Sequence, residues 1–238
     1  LIGKAFPTEE VVEGIKENAP KLTSKASAGS FAANAILTTD TFSKEGFLEF
    51  DVEGFEVNMG GMAKGSGMIH PNMATMLAFV VTDIAIEPEL LQRTVKEVVD
   101  TSFNMITVDG DTSTNDACVL VATAASGSSL ISAGHADYPA FCQAVTEVCE
   151  QLAQLLVRDA EGATKFVTVR VESGCDSEEC LQLAYTVAHS PLVKTALFAS
   201  DPNWGRILAA VGRAGIEGLD IDKVRIFLDD VCIVRDGA

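Results

Sequence analysis

One stretch constrains this chain more than any other. Residues 60–75 read Gly60-Gly61-Met62-Ala63-Lys64-Gly65-Ser66-Gly67-Met68-Ile69-His70-Pro71-Asn72-Met73-Ala74-Thr75, and Met76-Leu77-Ala78-Phe79-Val80-Val81 follows directly. The second run is apolar and predicts a buried strand. Gly60, Gly61, Gly65 and Gly67 permit backbone angles that other residues avoid, so a tight, strained loop feeds that strand. The junction presents one hydroxyl, Thr75, preceded by the small Ala74. Taken alone, Thr75 is an ordinary β-branched residue of the kind strands favour. At such a junction it is also a candidate nucleophile, above all if the Ala74–Thr75 bond is cut. Cleavage would leave the α-amine of Thr75 beside its own hydroxyl, a base with a reference pKa of ~7.7–8.0 that suits neutral pH.

The rest of the chain alternates helical and strand patterns. Pro7-Thr8-Glu9-Glu10 opens an amphipathic helix carrying Val11, Val12 and Ile15. Residues 30–37, alanine-rich and small, read as a buried strand running into Thr38-Thr39-Asp40, and residues 48–57 read as a hairpin. Pro88 starts a helix with Leu91, Val95, Val98 and Val99 on one face. Strands at 105–108 and 117–124 flank the polar loop 109–116. Asp137 caps a long helix with the stripe Phe141, Val145, Val148, Leu152, Leu155 and Leu156, ending near Arg158. After a change of pattern at 160–166 come a strand at 166–171, a helix opened by Asp176 and Glu179, and helices around 192–198 and after Trp204. A strand pair around 224–234 closes the chain. This divides the chain into residues 1–163 and 164–238. Strict βαβ alternation is absent, so a layered α/β sandwich fits better than a doubly wound sheet.

Composition narrows the function. Lys+Arg 17 against Asp+Glu 34 gives a net charge of −17 with no basic run, which argues against nucleic acid and anionic membrane surfaces. No apolar stretch approaches the ~20 residues that span a bilayer. The six cysteines form no C-x-x-C pair and no zinc spacing; Cys118 and Cys142 lie in apolar periodic segments, so they read as core thiols of a reducing, cytoplasmic compartment. The 109–116 loop lacks EF-hand spacing and reads as a hydrogen-bonded brace for the site, with no metal. His70 stands five residues before Thr75, but a free α-amine already fills the role of base; His135 and His189 read as surface or satisfied histidines.

Five blocks, in chain order, carry a resemblance. They are Ile36-Leu37-Thr38-Thr39-Asp40-Thr41, the 60–79 stretch, residues 102–116 (Ser102-Phe103-Asn104 through Thr114-Asn115-Asp116), Asp159-Ala160-Glu161-Gly162-Ala163-Thr164-Lys165, and Asp201-Pro202-Asn203-Trp204-Gly205-Arg206. Together they resemble the ornithine acetyltransferase family, the bifunctional ArgJ proteins of arginine biosynthesis. The resemblance implies an α/β/β/α sandwich plus part of a smaller C-terminal α/β domain. It implies self-cleavage at Ala74–Thr75, Thr75 as nucleophile, and substrate contacts from Thr38, Lys64 and Glu161. The activity implied is transfer of acetyl from N2-acetyl-L-ornithine to L-glutamate through an acetyl-enzyme. It requires no cofactor, with acetyl-CoA a second donor in bifunctional members, and the cleaved halves pair as α2β2. In that setting Lys64 would attract a substrate carboxylate and keep the new amine unprotonated, and Glu161 would suit the δ-ammonium of ornithine.

The family's chains extend further on both sides. Its Thr-Gly oxyanion pair falls ahead of Leu1, and its asparagine and Thr/Ser substrate contacts fall beyond Ala238, so the sequence resembles a central part. Two alternatives remain: a self-processing amidase or aminopeptidase of the same fold, and a non-catalytic amino-acid-binding module.

Overall fold

Alternation of side chains builds the sheet that organises the molecule. The computed structural model describes residue 3 and residues 5–25, 27–70, 76–113 and 115–237. Strands β1 (Lys44–Val52) and β2 (Phe55–Lys64) form a hairpin, β2 pairs antiparallel with β3 (Leu77–Thr82), and β3 pairs parallel with β4 (Ala117–Ala122) in the order β1-β2-β3-β4. The parallel step needs a crossover, supplied by α3 (Pro88–Thr101). Leu48, Phe50, Val52, Val57, Met59, Ala78, Val80 and Leu120 turn to one face and pack in a single core with α3 and α4 (Tyr138–Arg158). From α4 the buried side chains include Phe141, Val145, Val148, Leu152 and Leu156, the stripe expected from the sequence, whereas Leu155 is half-buried.

Gly61 is required by this packing. A Cβ there would lie 2.8 Å from Val148 Cγ1 and 3.0 Å from Leu152 Cδ1, closer than carbon atoms tolerate, so only glycine lets β2 approach α4 this nearly.

The other face of the sheet is apolar and open among the described residues. Phe47, Gly60, Val81 and Val121 fall in one row across the strands, and Phe47 is 60% and Val81 48% exposed. Helices on one face of a sheet are the α/β half of the expected sandwich; a second sheet packs ~10 Å from such a face. β3 therefore alternates, with Ala78 and Val80 inside and Val81 outside, and is not buried on both faces as its apolar run suggests.

A second cluster follows. Val187, Val193, Ala210 and Val211 are buried among α5 (Ser177–Ala188), α6 (Pro191–Phe198) and α7 (Trp204–Gly212), beside the small sheet β5 (Ile226–Leu228) and β6 (Val231–Val234). The predicted α5 start is present: Asp176 accepts from Glu179 N–H at 2.8 Å, and Glu179 Oε1 accepts from Cys175 N–H at 3.0 Å.

Several expectations are corrected. The segment expected as a strand at 30–37 lies mostly in the helix α2 (Ser27–Ala35); alanine is the strongest helix former, and only Ala33 of that helix is buried. Residues 103–105 form a 3₁₀ turn and 106–108 belong to no strand, Val108 making a single ladder-like bond to Ile69 O. Residues 166–171 likewise form no strand among the described residues; Phe166 instead stacks under the Arg158 guanidinium, 4.3 Å from its ring centre. Asp137 precedes α4 but its side chain makes no capping bond. The first helix, α1 (Thr8–Asn18), forms as predicted, yet Val11, Val12 and Ile15 stay exposed. All six cysteines are free thiols. No helix among the described residues is long and apolar enough to cross a membrane.

Candidate active site

The strand pairing collects one end of each strand. Lys64 pairs with Leu77 and Leu77 with Ala117, and Lys44, at the start of β1, pairs with the neighbouring Ala63. The chain therefore leaves the sheet at Lys64 and re-enters at Leu77, with the glycine-rich segment between. Ala74 and Thr75, the expected cleavage site and nucleophile, lie outside the described residues. Their flanks are placed.

Both flanks are clamped by the 109–116 loop. On the upstream side Asp109 accepts from Met68 N–H at 2.6 Å and Ile69 N–H at 3.1 Å. Downstream, Asp116 Oδ1 accepts from Met76 N–H at 2.9 Å. The loop thus braces the segment at two points, as its short polar side chains suggested. Met68 has φ 58°, a left-handed conformation that costs a non-glycine residue ~1–3 kcal/mol and survives because Asp109 holds its amide. Gly65, with φ 146°, occupies backbone space that suits glycine.

Thr38, Lys64 and Glu161 are brought to this same end. Lys64 Nζ donates to Thr38 Oγ1 at 3.4 Å. Glu161 N–H donates to Ser66 O at 2.8 Å, and its carboxylate rests over Gly67, 3.5 Å from where a Cβ would stand. Thr39, the neighbour of Thr38, bonds Ser66 side chain to side chain at 2.5 Å. A hydroxyl, an ammonium and a carboxylate from three distant stretches thus surround the glycine-rich segment. A cavity of about 420 Å³ opens beside Glu161, lined by Thr107, Val157, Lys165, Lys194 and Phe198 among others.

Other groups were not anticipated. Among the described residues Asp116 Oδ2 is buried outside any well-formed hydrogen bond; burial raises the carboxyl above its ordinary value, against the opposing pull of Met76 N–H, the charge of Lys64 and the Ser113 hydroxyl. A buried Lys44 bridges Asp40 and Asp159 beneath the site. His189, in contrast, is hydrogen-bonded, one of the two readings its sequence left open. Its Nε2 lies 2.8 Å from Thr107 Oγ1 and 3.2 Å from His70 Nδ1, and burial followed by the His70 charge holds its pKa below the ordinary value. The signals in the sequence were the acids inside short-hydroxyl loops and the Asp40/Lys44 spacing.

Glu53, His135 and Asp137 gather beyond the other end of the sheet at distances a metal could span. Asp137 N–H donates to His135 Nδ1 at 3.2 Å, so a neutral imidazole carries its proton on Nε2, facing Glu53 Oε1 at 3.5 Å. That is the arrangement of a paired histidine, with no lone pair left for a cation.

The geometry defines a mixed α/β protein with a polar site built where a glycine-rich segment re-enters its sheet. Comparison with known proteins gives the family. The ArgJ family profile matches residues 1–238, and the chain belongs to that family. It is 52% identical over 240 residues to the arginine biosynthesis bifunctional protein ArgJ of Methylococcus capsulatus. The identity is 51% over 238 residues to that of Psychrobacter arcticus, and 48% over 239 to that of Pseudomonas fluorescens. Each match covers 100% of this chain and 58% of the relative, so the chain spans less than two thirds of their length. The crystal structure of the Bacillus halodurans bifunctional protein ArgJ superposes with a TM-score of 0.63 at 36% identity, over 67% of this chain and 74% of that one. The mixed α/β fold expected from the sequence is that of this family.

Proposed function

We propose that this chain belongs to a glutamate N-acetyltransferase of arginine biosynthesis. It acts in the cytoplasm and moves acetyl from N2-acetyl-L-ornithine to L-glutamate. The observation that carries the reading is the convergence of Thr38, Lys64 and Glu161 around the segment leading to Thr75, in a chain of the ArgJ family.

Maturation comes first. Thr75 Oγ attacks the Ala74 carbonyl, and the acyl group shifts from nitrogen to oxygen with breakage of the amide C–N bond and release of the Thr75 amine. Water then hydrolyses the ester to free the Thr75 hydroxyl and the Ala74 carboxylate. In transfer, Thr75 Oγ attacks the acetyl carbonyl and the Thr75 amine takes its proton. The C–N bond to ornithine breaks, and that proton leaves on the departing nitrogen. The glutamate amine then attacks the acetyl ester, and its proton returns to Thr75 Oγ through the same amine. Lys64 offers a cation for the substrate α-carboxylate and Glu161 an acid for the δ-ammonium. Thr38 contributes a hydroxyl already hydrogen-bonded to Lys64. The covalent route needs no cofactor, with acetyl-CoA a second donor in bifunctional members of the family. The cleaved halves stay paired, in an α2β2 assembly.

Intact mass of the full-length protein mixed with N-acetylornithine tests this. The piece beginning at Thr75 should gain one acetyl group and lose it on adding glutamate. An adduct discharged by water irrespective of glutamate marks an amidase instead, and no adduct overturns the nucleophile itself.

A further inference from the structure

Lys44 has no exposed surface, and neither does the side chain of Asp40 beside it; the side chain of Asp159 is 2% exposed. An ammonium has three protons to place, and here each has an acceptor: Asp40 Oδ1 at 2.7 Å, Phe42 O at 3.2 Å and Asp159 Oδ2. The two carboxylates spend their remaining capacity on backbone. Asp40 accepts from Thr38 N–H at 3.2 Å and Gly65 N–H at 2.7 Å. Asp159 accepts from Thr41 N–H at 2.9 Å and from the Thr41 hydroxyl.

The destinations of these bonds matter. Asp40 grips the backbone of Thr38 itself and of Gly65, the residue after Lys64; Asp159 stands two residues before Glu161. Ser66 adds a second tie, bonding Thr39 through its hydroxyl and Glu161 N–H through its carbonyl. Three stretches far apart in sequence are thus fixed to one buried cation. Stability alone does not call for charges here, since apolar side chains replacing all three members of the triad would avoid the desolvation of three ions.

We propose that Lys44 is a positioning residue for the transfer reaction. With Asp40 and Asp159 it sets the spacing of the three substrate-contacting segments without touching substrate. This rests on the function proposed above.

The test uses the full-length, self-processed protein. Lys44→Met alone strands two buried carboxylates, so the informative variant is Lys44→Met/Asp159→Asn. It keeps the same net buried charge and leaves Asp40 its two backbone donors. Melting temperature and kcat/KM for N-acetylornithine are measured together. The double variant should melt close to wild type while kcat/KM falls by about tenfold to a hundredfold, the penalty of displacing binding groups by an ångström or less. Wild-type kcat/KM in a variant that melts like wild type overturns the proposal, as does a loss of activity only in proportion to the unfolded fraction. If neither Lys44 variant folds, Thr41→Val decides: it removes one hydroxyl bond to Asp159 and leaves every charge, and unchanged kcat/KM there overturns the proposal. Absence of transfer by wild type overturns both this role and the function; transfer by wild type with an unaffected variant overturns the role alone.

Discussion

Lys64 and Leu77 face each other across β2 and β3 as a directly registered antiparallel pair. β2 ends at Lys64 and β3 begins at Leu77, so a cut between Ala74 and Thr75 falls between the two strands and breaks neither. The piece ending at Ala74 would hold β1 and β2, and the piece starting at Thr75 would hold β3, β4 and the helix α4, which packs on β1 and β2 of the other piece. Cleaved protein should elute from gel filtration as one species and separate into two bands only on denaturing electrophoresis. Thr75→Ala should run as a single band; two bands from that variant would remove Thr75 from the processing chemistry.

Gly61→Ala tests how tightly α4 is seated. Its new methyl would meet Val148 and Leu152 inside van der Waals contact, and the strand is held on both sides by β1 and β3. Overpacking of this kind costs ~1–3 kcal/mol. Urea unfolding should show a lower midpoint with an unchanged slope; an unchanged midpoint would mean the helix can lift away freely.

The buried acids predict an acid limb. Burial alone would raise Asp40 and Asp159, but hydrogen bonds from Gly65 and Thr38 to the first, from Thr41 to the second, and from Lys44 to both outweigh it. Both carboxyls end below the ordinary value of 3.8. A depressed folded pKa means that the unfolded chain takes up protons first, so stability is full above pH ~4 and is lost as pH falls through the folded values. Melting temperature should drop through that window in wild type, and less steeply in Lys44→Met/Asp159→Asn, which has lost one of the two acids. Parallel acid limbs would contradict the assignment.

Glu161→Gln tests donor recognition. The change keeps shape and hydrogen bonding but removes the charge proposed to meet the δ-ammonium, a loss of ~1.5–3 kcal/mol or roughly 10–150-fold in kcat/KM for acetylornithine. Self-cleavage should survive, since no ornithine takes part. An acetylated donor without the δ-amine should lose little more in the variant than in wild type; equal losses for both donors would make Glu161 structural.

Much of this architecture is legible in the amino-acid sequence. The long α4 stripe, the Asp176/Glu179 helix start and the hairpin before Gly60 follow from periodicity and capping chemistry, which act locally. Segment 27–35 is misleading because small residues carry little pattern, so helix propensity decides it against the strand reading. Residues 166–171 have strand-like composition, but a strand exists only where a neighbour offers its edge, and sequence does not display neighbours. At the site, Thr38, Lys64 and Glu161 stand out by motif. Lys44 stands in no such block, and although Asp116 and Asp159 do, their partners lie 40 residues away for Asp116–Met76 and 115 for Lys44–Asp159, which no local pattern displays.

The open face that carries Phe47, Val81, Val119 and Val121 has a practical corollary for anyone handling residues 1–238. Uncovered, a patch of this kind makes copies adhere, and solubility is then governed by side chains that contribute nothing to the core. On β1 this face is interrupted by Glu45, Glu49 and Asp51, which repel an incoming strand, whereas β4 presents Val119 and Val121 on its outer side without a charge. Val119→Thr/Val121→Thr should therefore reduce light scattering in concentrated solutions of this chain at unchanged melting temperature.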